Sequence, residues 1–322
     1  MPTELGMWLE LGALGLACVV AVVGFMKKRS REAGRELPIP PAAGAESPYS
    51  PPGTPPPLPD EVMAAEADEG PLEPFNRVRC RWVRRWDFLV IGLVLCLYLW
   101  PVVLTILGKT PDEPPKIELA TIVATMVMQL FFSAVIIGLV VWRIKPVRWL
   151  GLNWPGRAGI EWVKWLVAVP VAIGATWMLL TALYLSGFIQ WVQSVEGSDG
   201  QQEVVRAFQE INDPLTLAAL ILMAVVVAPV TEELIFRGYL YPVAKSRIGR
   251  NAAVIVSAVV FAAVHHNAVA LPALTLLALM LAVSFEFSGS IWMPMSIHAA
   301  FNGLTVIGQL AIKFGYATPP TS

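Results

Sequence analysis

Thr231-Glu232-Glu233-Leu234-Ile235-Phe236-Arg237 lies in the run 214–240, whose only charged residues are these two glutamates and this arginine. The run is long and apolar enough to cross a bilayer core as a helix of about 20 residues or more. Ionisable groups at such a depth are expensive and mark function. Working outward, Phe261-Ala262-Ala263-Val264-His265 and His298-Ala299-Ala300-Phe301-Asn302 follow in sequence of the same apolar character. His265, His266 and His298 are the three histidines of the chain.

Spacing divides the work among these residues. Glu233 and Arg237 are four apart, so on a helix they share a face and neutralise each other. Phe261 with His265, and His298 with Asn302, share faces in the same way. Glu232 is rotated by about 100° from Glu233, and His266 by as much from His265. Glu233, Arg237 and Phe261 therefore read as supports, and Glu232, His265, His298 and Asn302 as the working set, with His266 facing elsewhere. Lys245, Arg247 and Arg250 form a basic hairpin tip. Glu232 and His265 each lie roughly 25 Å along a helix from that tip, and His298 roughly 12 Å beyond the turn Ser288-Gly289-Ser290. For all three to meet, the first hairpin must tilt or project beyond the bilayer. Glu10, Asp87, Glu118, Glu161 and Glu286 fall at span ends, where water or headgroups solvate them, and are assigned no chemistry.

Glu-Glu-x-x-x-Arg, Phe-x-x-x-His and His-x-x-x-Asn, in this order within apolar helices, resemble the CPBP family of intramembrane proteases. That family groups type II CAAX prenyl endopeptidases with bacteriocin-processing and immunity-type (Abi-like) proteins. The resemblance covers roughly 146–312, including Trp149-Leu150-Gly151-Leu152 at the entry to the core, and leaves 1–116 uncovered. It implies an intramembrane endopeptidase with a metal-free glutamate mechanism.

Two chemistries suit one glutamate and two histidines. In one, Glu232 and His265 activate water for attack on a peptide carbonyl, and His298 and Asn302 donate hydrogen bonds to the oxyanion. In the other, Glu232, His265 and His298 ligate zinc and leave a position open for water. No His-Glu-x-x-His template is present. No cofactor is therefore the first expectation and zinc the alternative. A non-catalytic membrane scaffold or immunity-type binding protein is a rival from another class. A proton-coupled transporter is a third, but the internal repeat with paired broken helices that it requires is not found.

Composition agrees with a membrane protein. Of 322 residues, 56% are hydrophobic and 15% charged, with a mean hydropathy of +0.62. A net charge of −1 argues against nucleic acid as a partner. Cys18, Cys80 and Cys96 show no disulfide or zinc spacing. Apolar runs at 8–26, 88–108, 118–142, 162–188, 214–240, 251–268, 270–285 and 290–312 predict an all-α polytopic bundle of about eight transmembrane helices. The first run lacks basic residues in front and is followed by Lys27-Lys28-Arg29, so it reads as an anchor with its N-terminus outside. Among the 23 Lys and Arg, only Lys109, Lys116, Arg206 and Lys313 then fall on outer segments.

The expected organisation is an anchor at 1–31, a Pro-rich cytosolic linker with a basic juxtamembrane segment at 32–86, two transmembrane helices at 87–145, and a protease-like core at 146–322. The linker reads as a disordered or polyproline-like spacer, with partner docking on 38–59 as the alternative. The run Arg77 to Trp86 reads as an anchor on an anionic leaflet. In the outer loop 189–213, Val204, Phe208 and Ile211 recur at helical spacing, as in a short interfacial helix. Membrane lipid and a peptide or membrane-associated protein substrate are the expected partners. The bacterial plasma membrane is the expected location.

Overall fold

The computed structural model describes residues 25, 77–80, 82–94, 96, 117–152, 159–196 and 203–318. Most of the described residues are helical, and no strand occurs among them. The helices are α1 (Leu119–Val141), α2 (Pro146–Leu150), α3 (Gly159–Leu185), α4 (Phe188–Glu196) and α5 (Glu203–Glu210). They continue with α6 (Pro214–Ile248), α7 (Arg250–Ala263), α8 (Leu271–Ser288) and α9 (Trp292–Lys313). α1, α6, α8, α9 and the Val167–Leu185 part of α3 are long and apolar enough to cross a membrane. α7 is apolar but has only 14 residues, about 21 Å. The run expected over 251–268 is thus shorter as a helix than the one expected over 270–285. The runs 8–26 and 88–108 lie wholly or largely outside the described residues.

α6 is the centre. At 35 residues it extends about 52 Å, well beyond a hydrocarbon core of about 30 Å. It packs on α1, α7 and α9, while α8 packs on α7, α3 and α9. α1 buries Ile122, Ile136 and Val140 against this assembly and exposes Val127, Leu130 and Phe131, an outward apolar face suited to lipid.

Two prolines give α6 its local form. Pro229 and Pro242 carry no N–H, so each removes a donor from the helix ladder. Next to each the helix widens into π turns, over Met223–Val227 and Leu234–Leu240. Ala228 N–H bonds Met223 O, five residues back, so the matching donor for Ala224 O would be Pro229. Asn302 Nδ2 from α9 donates to Ala224 O instead, at 2.9 Å. Pro242 likewise removes the donor of Gly238 O, four residues back, and Trp149 Nε1 fills the place at 2.7 Å. Each freed carbonyl draws a side chain from another element into register.

The short α2 docks where glycine permits close approach. A Cβ on Gly238 would lie 3.1 Å from Leu150. Gly151, at φ 57°, stands so close to the α8–α9 turn that a Cβ there would fall 1.6 Å from Gly289 O. Ile291 N–H donates to Leu150 O at 2.8 Å across the same contact.

The segment from Arg77 to Trp86 is more than a surface anchor. Val78 and Trp82 are buried in the core, and Trp82 stacks near Trp149 and Tyr239. Asp87 and Glu286 are not solvated at span ends, contrary to the reading from sequence. Asp87 is fully buried and accepts from Arg143 Nη1 and from the Tyr239 hydroxyl. Glu286 is buried too, and accepts from Lys245 and the Tyr241 hydroxyl. Hydropathy places both residues near span ends. Their burial depends on partners far away in sequence, which a linear reading does not pair.

The short helix expected in the outer loop is α5. It buries Ala207 and Phe208 and is tied to α9 by Gln209 Nε2 donating to Gln309 O and by Lys313 Nζ donating to Gln209 O.

Candidate active site

α6, α7 and α9 bring the three sequence motifs together. Glu233, buried at 0% exposure, is the hub. Its Oε1 accepts from Arg237 Nη1 at 2.9 Å and from His298 Nδ1 at 2.9 Å. Arg237 Nη2 donates to Ala278 O on α8 at 3.0 Å, and its guanidinium lies 4.7 Å over the Phe261 ring. Glu233 and Arg237 thus pair as their spacing predicts. Phe261 is the packing centre, with its ring 4.8 Å from the His265 ring and 5.6 Å from the His298 ring.

Glu232 faces away from this pair, toward both histidines. His265 Nε2 and His298 Nε2 each lie 3.9 Å from Glu232 Oε2. Among the described residues that oxygen has no hydrogen-bond partner, although it is shielded from solvent. His265 follows the last turn of α7, and its Nδ1 donates to Phe261 O at 2.7 Å. A carbonyl only accepts, so the neutral ring carries its proton on Nδ1 and turns the bare Nε2 toward Glu232. The carboxylate of Glu233 on His298 Nδ1 imposes the same tautomer there. His266 adopts φ 48° and is exposed.

Asn302 sits one turn beyond His298 on α9, as its spacing predicts. One of its N–H groups is held by Ala224 O. The sequence carries a signal for this bond in Pro229, which removes a donor from a helix interior. The link from Glu233 to His298 has no such signal, because spacing in one helix cannot show that a second helix supplies a partner. Among the described residues, no group of three or more His, Cys, Asp or Glu side chains is arranged to hold a metal ion.

The fold and site define an all-α integral membrane protein with a carboxylate and two imidazoles facing one another inside the bundle. Residues 214–304 match the family model described as Type II CAAX prenyl endopeptidase Rce1-like, the group that the three motifs resemble. The matched stretch takes in α6, α7, α8 and α9 as far as residue 304, and with them every residue named at the site. No curated protein and no solved structure matches the chain. The match supports an intramembrane endopeptidase.

Proposed function

We propose that the protein hydrolyses a peptide bond in a peptide or membrane-associated protein substrate, using water activated by Glu232. The observation that carries this reading is the approach of two imidazole nitrogens to one carboxylate oxygen, each at 3.9 Å, where that oxygen has no hydrogen-bond partner among the described residues. A polar gap of that width takes a bridging water within hydrogen-bond distance of all three atoms.

In the reaction, Glu232 removes a proton from the water while His265 Nε2 accepts its other hydrogen and orients it. The water oxygen bonds to the carbonyl carbon, and the carbonyl π pair moves onto oxygen. His298, backed at Nδ1 by the Glu233 carboxylate, donates from Nε2 to that oxyanion when protonated. The second N–H of Asn302 joins it. On collapse the C–N bond breaks, and Glu232 returns its proton to the leaving amine. The products are a carboxylic acid and an amine, which by proton exchange become a carboxylate and an ammonium, with no redox change.

A zinc reading has one observation in its favour, the bare Nε2 atoms that both histidines turn toward Glu232. Ligand atoms around a tetrahedral zinc with bonds of about 2.1 Å stand about 3.4 Å apart, so both 3.9 Å gaps would have to close. The metal-free mechanism needs no such closure, only a proton on His298 Nε2. We further propose an N-terminus outside, with the α6–α7 turn on the cytosolic side of a bacterial plasma membrane, from the Lys and Arg distribution.

Glu232→Gln tests the reading. It keeps the shape and removes the base, so the melting temperature should hold while single-turnover cleavage falls by about 100-fold or more. A scaffold would lose stability and have no cleavage to lose. Exhaustive chelation should leave wild-type cleavage intact, and activity returning only with added zinc would make the three residues ligands.

A further inference from the structure

At the end of the bundle formed by α2 and the α8–α9 turn, a cavity of about 400 Å³ is lined by Arg77, Arg79, Arg148, Ser288, Gly289 and Ser290. Among the described residues no carboxylate lines it. We propose that this cavity binds a phosphate group, and that the source is the headgroup of an anionic lipid in the adjoining leaflet.

The pocket is built rather than incidental. Residues 77–80 are non-helical, and Val78 points into the core. Its backbone is clamped on both sides, N–H donating to Glu286 Oε2 at 3.4 Å and O accepting from Lys245 Nζ at 2.9 Å. Arg77 and Arg79, on either side of the buried Val78, both line the cavity. The Arg77 stem lies on Gly289, where an added Cβ would come within 3.0 Å of it. Arg148 approaches from α2, itself seated by Gly151 against Gly289.

Ser290 is a second, independent sign. It is 8% exposed, and among the described residues its hydroxyl has no hydrogen-bond partner. It stands just before the start of α9, whose positive end favours an anion. Buried hydroxyls are normally paired, and a small shift that opens this one to the cavity would let a phosphate oxygen pair it. Guanidinium groups match phosphate through paired, charge-assisted hydrogen bonds.

The surroundings favour a lipid over a soluble phosphate. Trp86, Trp142 and Trp292 are exposed at 42%, 90% and 36%. Trp86 and Trp142 flank Arg143 at the end of α1, and Trp292 follows the α8–α9 turn. Exposed tryptophans of this kind mark the headgroup level of a bilayer. Val147, half-exposed at the rim, offers an apolar edge beside the charges.

The experiment compares the full chain in neutral detergent, lipid-free and with dioleoylphosphatidylglycerol, dioleoylphosphatidylcholine or inorganic phosphate. Melting temperature and the number of lipids retained in native mass spectrometry are read for each. The glycerol lipid should raise the melting temperature and be retained more than the choline lipid, and salt should weaken the effect. Arg148→Gln and Arg77→Gln should each lower that affinity by about tenfold, with lipid-free melting unchanged. Ser290→Ala should lower it by less. Equal effects of the two lipids, or variants that keep the preference, overturn the site. A shift matched by inorganic phosphate overturns the lipid as its source.

Discussion

His298 Nδ1 and Arg237 Nη1 meet on the same oxygen of Glu233, each at 2.9 Å. One buried carboxylate therefore compensates a guanidinium and orients the imidazole that faces Glu232. Support and catalysis are linked through a single atom. A division that leaves Glu233 only the arginine omits half of its partners.

Glu233→Gln should accordingly do two things. It leaves Arg237 buried without a counter-charge, a loss of roughly 3–5 kcal/mol where desolvation is complete. It also weakens the hold on His298. Melting curves should show the first effect. Cleavage rates corrected for folded fraction should show the second, falling further than unfolding explains. Rates that track the folded fraction alone would confine Glu233 to a structural role.

The two proline-freed carbonyls permit a matched comparison. Trp149→Phe orphans Gly238 O and Asn302→Leu orphans Ala224 O, and each should cost about 1–3 kcal/mol. Only the Asn302 variant should also slow cleavage, because Trp149 lies outside the reacting group. Denaturant titration and single-turnover rates on both proteins decide this. If both variants cleave at the wild-type rate, Asn302 is a helix clamp and no more.

Gly151 and Gly187 separate backbone strain from close approach. Both have positive φ, 57° and 77°, so an alanine at either costs about 1–2 kcal/mol of left-handed strain. A Cβ on Gly187 meets nothing within 4 Å, whereas on Gly151 it falls 1.6 Å from Gly289 O. Gly151→Ala should therefore lower the melting temperature well below that of Gly187→Ala and loosen α2 from the α8–α9 turn. Equal losses would show that the turn gives way without resistance.

Asp213 caps the start of α6. The Thr216 hydroxyl and then the Thr216 backbone N–H donate to it, holding its carboxyl below the ordinary value of 3.8. A depressed folded value means the stabilisation is fully present above the ordinary value and is lost as pH falls through the folded one. The melting-temperature gap between wild type and Asp213→Ala should be constant from pH 7 to about pH 5 and close below the ordinary value. A gap that stays open in strong acid would show that the cap works without its charge.

The sequence by itself determined what depends on composition and on spacing within one helix. Hydropathy and length reveal the membrane class, the helical fold and the crossing segments α1, α3, α6, α8 and α9. Four-residue spacing pairs Glu233 with Arg237, Phe261 with His265 and His298 with Asn302, because a helix places such residues on one face whatever surrounds it. Tertiary structure alone decided how the faces meet. It turns His298 Nδ1 onto Glu233, lays both bare Nε2 atoms toward Glu232, and buries Asp87 and Glu286 among partners 41 to 208 residues away. Those contacts depend on the tilt and depth of separate helices. A linear pattern carries each helix's own periodicity but not its rotation relative to a neighbour.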